Sequence, residues 1–185
     1  MEHIHGGPMA GQTVLVTGAT SGIGQATALG LATMGAHLAV TGRDRGRTET
    51  LPARSAQPEA EMSRCSSRTC PPRRRCGGWP ARCSSACQRI DVLINNAGGY
   101  WSSRHVTADG LERTFALNHL APFLLTNLLL DRLELYAPEL EQVSGRYFAN
   151  RRPTRSSTRS NDRAVAARLW EASADLVGLS AAPRV

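Results

Sequence analysis

Thr13 to Thr41 constrains the fold more than any other stretch of the 185 residues. Thr13 to Thr17 (TVLVT) is a short, β-branched apolar run, the pattern of a buried strand. The turn TGATSGIG follows, with glycines at 18, 22 and 24. Ile23 to Met34 is rich in alanine and leucine and stops at Gly35, which predicts a helix. Ala36 to Thr41 (AHLAVT) is a second strand. Parallel strands need a crossover between them, so this order is a βαβ unit and demands a parallel sheet covered by helices. The predicted class is α/β.

Glycines between such a strand and helix let the backbone turn tightly and approach a pyrophosphate, which the helix N-terminus stabilises. Gly18, Thr20, Ser21, Gly22, Ile23 and Gly24 are therefore candidate cofactor-binding residues. Their spacing is G-x-x-x-G-x-G. A plain tight turn is the simpler alternative, and the flanking strand and helix favour the nucleotide.

Further along, Ile90 to Asn95 (IDVLIN) reads as another buried strand. Asp109 to Leu133 has a helical pattern, with Leu111, Phe115, Asn118 to Leu120, Leu124 and Leu128 recurring at three or four residues. A discontinuity falls near Leu133 to Pro138. Gly145 to Ala149 is a short strand-like piece, followed by an arginine-rich loop. A last helix is predicted from about Asp162 to Val177, with Val165, Leu169, Ala172 and Leu176 on one face and Gly178 at its end. That face is expected to dock on a core.

Charge is unevenly placed. The formal balance is +7, and all 22 basic residues are arginine. The absence of lysine excludes Schiff-base chemistry and any lysine-tuned acid or base. Residues 62–89 hold seven arginines and no acid, while the other 157 residues carry 15 of each sign and balance. All five cysteines (65, 70, 76, 83 and 87) lie in this insert without a Cys-x-x-Cys pair, so no metal site is expected. From 55 to 89 there is no period of 2 or 3.6, and the stretch reads as a solvated, disordered loop.

Three further segments join the glycine-rich turn in resembling the short-chain dehydrogenase/reductase family, specifically its retinol-dehydrogenase-like branch. Asn95-Asn96-Ala97-Gly98 matches the family's Asn-Asn-Ala-Gly turn, which places Asn96, Ala97 and Gly98 beside the cofactor. Asp109-Gly110-x-Glu112-x-x-Phe115-x-x-Asn118-His119-Leu120 resembles the helix that follows, and Asn118 aligns with a catalytic asparagine. Leu135 to Leu179 is similar to the end of the same branch. The resemblance implies an incomplete Rossmann-like, doubly wound parallel sheet with flanking helices. It also implies hydride transfer between a nicotinamide and a carbonyl or alcohol.

The residue closing the second strand meets the adenosine ribose in this family. Here Gly42 is followed by Arg43, whose planar fork suits a 2′-phosphate. NADP is expected over NAD, although Asp44 adjoins Arg43.

The family's Tyr-x-x-x-Lys pair is impossible without lysine, and an unassisted tyrosine titrates near ~10. Tyr100 with Arg104 and Tyr147 with Arg151 have a similar spacing, but neither lies on the expected helix after Asn118. Surface exposure is expected for Tyr100, and core packing or strand placement for Tyr147. Ser144 belongs to the tail segment and is not read as catalytic. The chain therefore reads as internally truncated near Asp131 to Leu135, inactive or severely impaired. The 62–88 stretch has the bias of GC-rich coding DNA read out of frame. If so, one of the other two frames encodes an apolar strand ending in Asp-Leu; failure of both to do so sinks the idea.

The expected organisation is a loose tail over 1–11, a partial NADP-binding half over 12–133 with the insert at 55–89, and a strand plus helix over 134–185. Met9 is an alternative start. No signal peptide and no membrane span is expected, and the chain reads as cytoplasmic. Its expected partner is a small carbonyl or alcohol. The competing reading is a non-catalytic protein binding nucleic acid or another polyanion through the insert; a single aromatic there, Trp79, weighs against it.

Overall fold

The computed structural model describes residues 7–42, 63–66, 89–130, 133, 145–150 and 152–179. They belong to two compact units, Met1–Glu134 and Leu135–Val185. In the first unit the order is β1 (Thr13–Thr17), α1 (Gly22–Thr33), β2 (His37–Gly42), β3 (Ser63–Ser66) and β4 (Val92–Ile94). The four strands form one parallel sheet in the order β3-β2-β1-β4.

Register explains why β1 reads as a continuous apolar run. Val14 lies opposite Leu38 and Val92, Leu15 opposite Ala39 and Leu93, and Val16 opposite Val40 and Ile94. Successive side chains alternate between faces. Val14, Val16, Leu38 and Val40 meet Ala19, Ala28 and Ala36 on one face. Leu15 and Ala39 meet Ile90, Leu125 and Leu129 on the other. Both faces are covered, so β1 has no polar side to show. The result is a parallel sheet flanked by helices, a partial Rossmann-like fold.

At the N-terminal edge, Asp91 ties β4 to β1. Its Oδ2 accepts from the Thr13 amide at 2.7 Å, and the Asp91 amide donates to the Thr13 carbonyl at 2.9 Å. Arg89 neutralises the buried carboxylate through an ion pair of 2.6 Å. The strand starts are thus fixed at the end of the sheet opposite the glycine-rich turn.

Three sequence expectations change. The stretch from 55 to 89 contains β3, which pairs with β2 through backbone bonds that need no side-chain period; the rest of it lies outside the described residues. The helical pattern begins later than Asp109. Thr107 to Gly110 is a turn, and Glu112 caps α2 (Arg113–Phe115), which leads through a π-helical segment (Ala116–Leu120) into α3 (Ala121–Leu129). Pro122 lacks the amide that an α-helix would aim at the Asn118 carbonyl, and the wider turn before it accommodates that loss. Ala116, Leu120, Leu125 and Leu129 are the buried residues, at steps of four, five and four. The step of five, from Leu120 to Leu125, follows directly on the π-helical segment, and Phe115 and Leu128 lie off the buried face.

In the second unit, β5 (Phe148–Ala149) pairs antiparallel with β6 (Arg152–Pro153). Asn150 beside the turn takes a left-handed φ of 51°, a conformation asparagine tolerates. A 3-10 turn (Thr158–Asn161) leads to α4 (Arg163–Val177). Asp162 caps α4 by accepting from the Ala164 and Val165 amides, at 2.9 and 3.1 Å, and Gly178 ends it in the left-handed region. The expectation that its whole apolar face docks is corrected: Ser173 and Ala174 are buried, whereas Val165 and Leu169 are exposed. Among the described residues, no helix is long and apolar enough to cross a membrane.

Candidate functional site

Because the chain runs from β1 to β2 on one side and reaches β4 on the other, the carboxyl ends of β1 and β4 are neighbours at a topological switch point. Open α/β sheets bind their ligands at such a point. The two signature turns of the sequence leave these two strand ends.

Thr17, the last residue of β1, joins them. Its buried hydroxyl accepts from the Asn96 and Ala97 amides, both at 3.0 Å, and donates to the Ile94 carbonyl at 3.3 Å. The Asn96 carboxamide reaches back to donate to the Thr17 and Gly18 carbonyls, at 3.0 and 3.3 Å. Thr17 was absent from the sequence-based site. The available signal was a hydroxyl at the buried end of an apolar strand, which must find partners.

The glycines divide into two groups. Gly18 has a φ of 69°, and a Cβ there would stand 2.9 Å from the Ala97 backbone. A Cβ on Gly24 would collide with the Asn96 side chain and the Gly18 carbonyl. These two exist so that the turns can touch. Gly22 differs: its φ is 56°, yet nothing lies within 4 Å of a Cβ built on it. Ser21, Gly22 and Ile23 are exposed, and the Ser21 hydroxyl makes no capping hydrogen bond. The first amide of the following turn, Gln25 N–H, donates to the Ser21 carbonyl at 3.3 Å, leaving the amides before it at the open N-terminus of α1. Ala19 is anchored beneath through its amide to the Thr41 carbonyl at 3.1 Å. Thr20 is half-buried in the same turn.

Asn118 occupies the π-helical segment and faces the second turn. Its Oδ1 accepts from the Gly99 amide at 2.9 Å, and its Nδ2 donates to the Gly99 carbonyl at 2.8 Å. The same Oδ1 would lie 3.2 Å from a Cβ on Gly98. Asn95 donates to the Thr126 hydroxyl of α3 at 3.2 Å. Trp101 lies beneath the Arg113 guanidinium, 4.2 Å from ring centroid to Cζ. Tyr100, next to these residues, is 81% exposed, as expected.

The structure thus brings Gly18, Gly22, Gly24, Asn96 and Ala97 to one edge, with Gly98 and Asn118 joined through the Gly99 turn. The expectation of core packing or strand placement for Tyr147 is corrected: it is exposed and just precedes β5, where its carbonyl accepts from the Thr154 amide at 2.8 Å. Arg43, Ser144 and Arg151 lie outside the described residues. Among the described residues, no three His, Cys, Asp or Glu side chains gather as a metal site.

Glu112 is the residue here with a perturbed carboxyl. It accepts from the Thr114 and Phe115 amides, at 2.9 and 2.8 Å. These backbone donors hold its pKa below the ordinary glutamate value.

An open helix N-terminus at the switch point of a parallel sheet, braced by a second turn, defines a class of α/β proteins. Within it, this chain belongs to the short-chain dehydrogenase family, whose model matches residues 12–146. It is 46% identical over 132 residues to a Streptomyces protein named "Putative daunorubicin C-13 ketoreductase DnrU", covering 70% of this chain and 45% of that one. It is 39% identical over 130 residues to human retinol dehydrogenase 13, covering 69% and 39%. A metagenomic short-chain oxidoreductase solved in complex with NADP is 27% identical with a TM-score of 0.57, covering 67% of this chain and 57% of that one. The chain thus spans less than half the length of the two named enzymes and 57% of the metagenomic one.

Proposed function

We propose that this chain is the nucleotide-binding portion of a short-chain oxidoreductase that binds NADP and supports little or no turnover. The observation that carries the reading is the Thr17 hydroxyl, which accepts two amides from the Asn96–Ala97 turn and so holds both turns in one cradle. The open space over Gly22 and the free edge of Ser21 fit a pyrophosphate against the N-terminus of α1. Gly18, Thr20, Ser21, Gly22, Ile23 and Gly24 would hold it, with Asn96, Ala97 and Gly98 facing the nicotinamide side.

NADP is favoured over NAD by Arg43 directly after β2, because a guanidinium pairs a 2′-phosphate bidentately. The NADP complex of the metagenomic relative supports the same choice. When bound, the nicotinamide supplies or accepts a hydride at a carbonyl or alcohol carbon.

The protein side of that reaction needs a proton donor or acceptor near neutral pH. A tyrosine serves only when a neighbouring cation lowers its pKa. No lysine exists in the 185 residues to do so, and Tyr100 is almost fully solvated. Asn118 has both polar side-chain atoms engaged by the Gly99 peptide, so in this chain it shapes the turn. The substrate class is a small carbonyl or alcohol, and the retinol-dehydrogenase-like branch is supported by the similarity to human retinol dehydrogenases 13 and 14. Titration of the full chain with NADPH and NADH tests the cofactor, and Arg43→Asp should reverse the preference. Unchanged affinities in that variant would sink the Arg43 assignment.

A further inference from the structure

The second unit carries a charge cluster that the near-neutral total outside residues 62–89 conceals. Residues 146–168 hold seven arginines (146, 151, 152, 155, 159, 163 and 168) against one acid, Asp162. Asp162 is occupied as the cap of α4. The six described arginines of this group are all exposed. None is paired with a carboxylate of a described residue. Arg146 precedes β5, and the other five follow one another along β6, the loop after it, the 3-10 turn and the first two turns of α4.

Beside this charge lies apolar surface. Val165, Leu169 and Trp170 of α4 are 45%, 46% and 49% exposed. Val165 and Leu169 share a face at a step of four, and Trp170 widens it. Arg168 is three residues from Val165, and Arg163 is seven from Trp170, so an arginine borders each side of the apolar stripe. Tyr147 and Phe148, where the chain enters the hairpin, are also exposed. A helix whose apolar stripe includes a tryptophan and is bordered by an arginine on each side, with Glu171 and Asp175 toward its C-terminal half, suits a segment lying in a bilayer interface. Its aliphatic stems accompany the apolar face while the guanidinium groups stay at the headgroups.

We infer that this unit docks on an anionic lipid surface, with α4 lying in the interface and the arginine run on the headgroups. Single-stranded nucleic acid would engage the arginines and aromatic rings but leave Val165 and Leu169 unused. A second copy of the chain would bring like charges together. The anionic bilayer is complementary to the charge and the apolar stripe together.

The test is co-sedimentation of the full chain with phosphatidylcholine vesicles and with vesicles of equal phosphatidylcholine and phosphatidylserine. Binding should be at least about tenfold tighter to the anionic vesicles and weaken with salt. Arg155→Gln, Arg159→Gln and Arg163→Gln together should lower it about a hundredfold. These side chains are solvated, so helix content by circular dichroism should be unchanged. Leu169→Gln should lower it about tenfold, and brominated lipid should quench fluorescence that disappears in Trp170→Phe. Equal binding to both vesicle types, or no binding to either, overturns the inference. So does tighter binding to a single-stranded oligonucleotide that Leu169→Gln leaves intact, or self-association that shields Trp170 from quenching.

Discussion

The carboxamide of Asn118 holds the Gly99 peptide from both sides, accepting from its amide at 2.9 Å and donating to its carbonyl at 2.8 Å. A side chain on the π-helical segment thereby fixes the turn that leaves β4. Replacing it with Ala removes both bonds at an exposed site, at a cost of about 1 kcal/mol. Asn118→Asp should be no milder, because a carboxylate accepts from the Gly99 amide but repels the Gly99 carbonyl. Urea unfolding of the two variants checks this; wild-type stability in both would show that the clamp contributes nothing.

Thr17→Val removes the hydroxyl that accepts two partly buried amides. Each unsatisfied donor costs about 1–3 kcal/mol, so this variant should be much less stable than Thr17→Ser, which keeps the oxygen. Nucleotide affinity should follow the same order. If valine and serine behave alike, the hydroxyl does not join the turns.

Two glycines of one turn should fail differently. Gly24→Ala forces a methyl into the Asn96 side chain and the Gly18 carbonyl, and overpacking of this kind costs about 1–3 kcal/mol. Gly22→Ala meets nothing; it bears only the left-handed penalty of about 1–2 kcal/mol. It should retain the fold while weakening nucleotide binding, since its methyl projects into the open side. Thermal melts and NADPH titration separate the two. Wild-type NADPH affinity in Gly22→Ala would contradict the division.

Glu112 supplies a pH dependence of known sign. Its folded pKa lies below the ordinary glutamate value, because the Thr114 and Phe115 amides stabilise the carboxylate. Its contribution is therefore complete above the unfolded value and is lost as pH falls through the folded one. Melting temperature should drop between neutral and strongly acidic pH, and Glu112→Gln should flatten that part of the profile. An unchanged slope in the variant would remove Glu112 from the account.

The sheet was legible where side chains alternate under burial on both faces. TVLVT predicted β1 to the residue, because Val14, Leu15 and Val16 all answer to the core on one face or the other. The segment around Asn118 was less legible. A period of 3.6 cannot announce a π insertion, and it put Phe115 and Leu128 on the buried face that Ala116, Leu120, Leu125 and Leu129 occupy. β3 was illegible for another reason: an edge strand can form on backbone bonds to β2 alone. At the site, the glycines and Asn96 were visible as motifs. Thr17 was hidden because its work is done by one hydroxyl at the end of an otherwise apolar strand. The face of α4 was read correctly as apolar, but amphipathicity does not say what covers it.

The most direct measurement is NADPH titration of the full chain, followed by NADPH oxidation with a panel of small carbonyls. Binding without oxidation is the predicted result: the Thr17-braced cradle holds the nucleotide, and no lysine-assisted tyrosine is present to move the proton. Oxidation that is carbonyl-dependent, or no nucleotide binding at all, would contradict it.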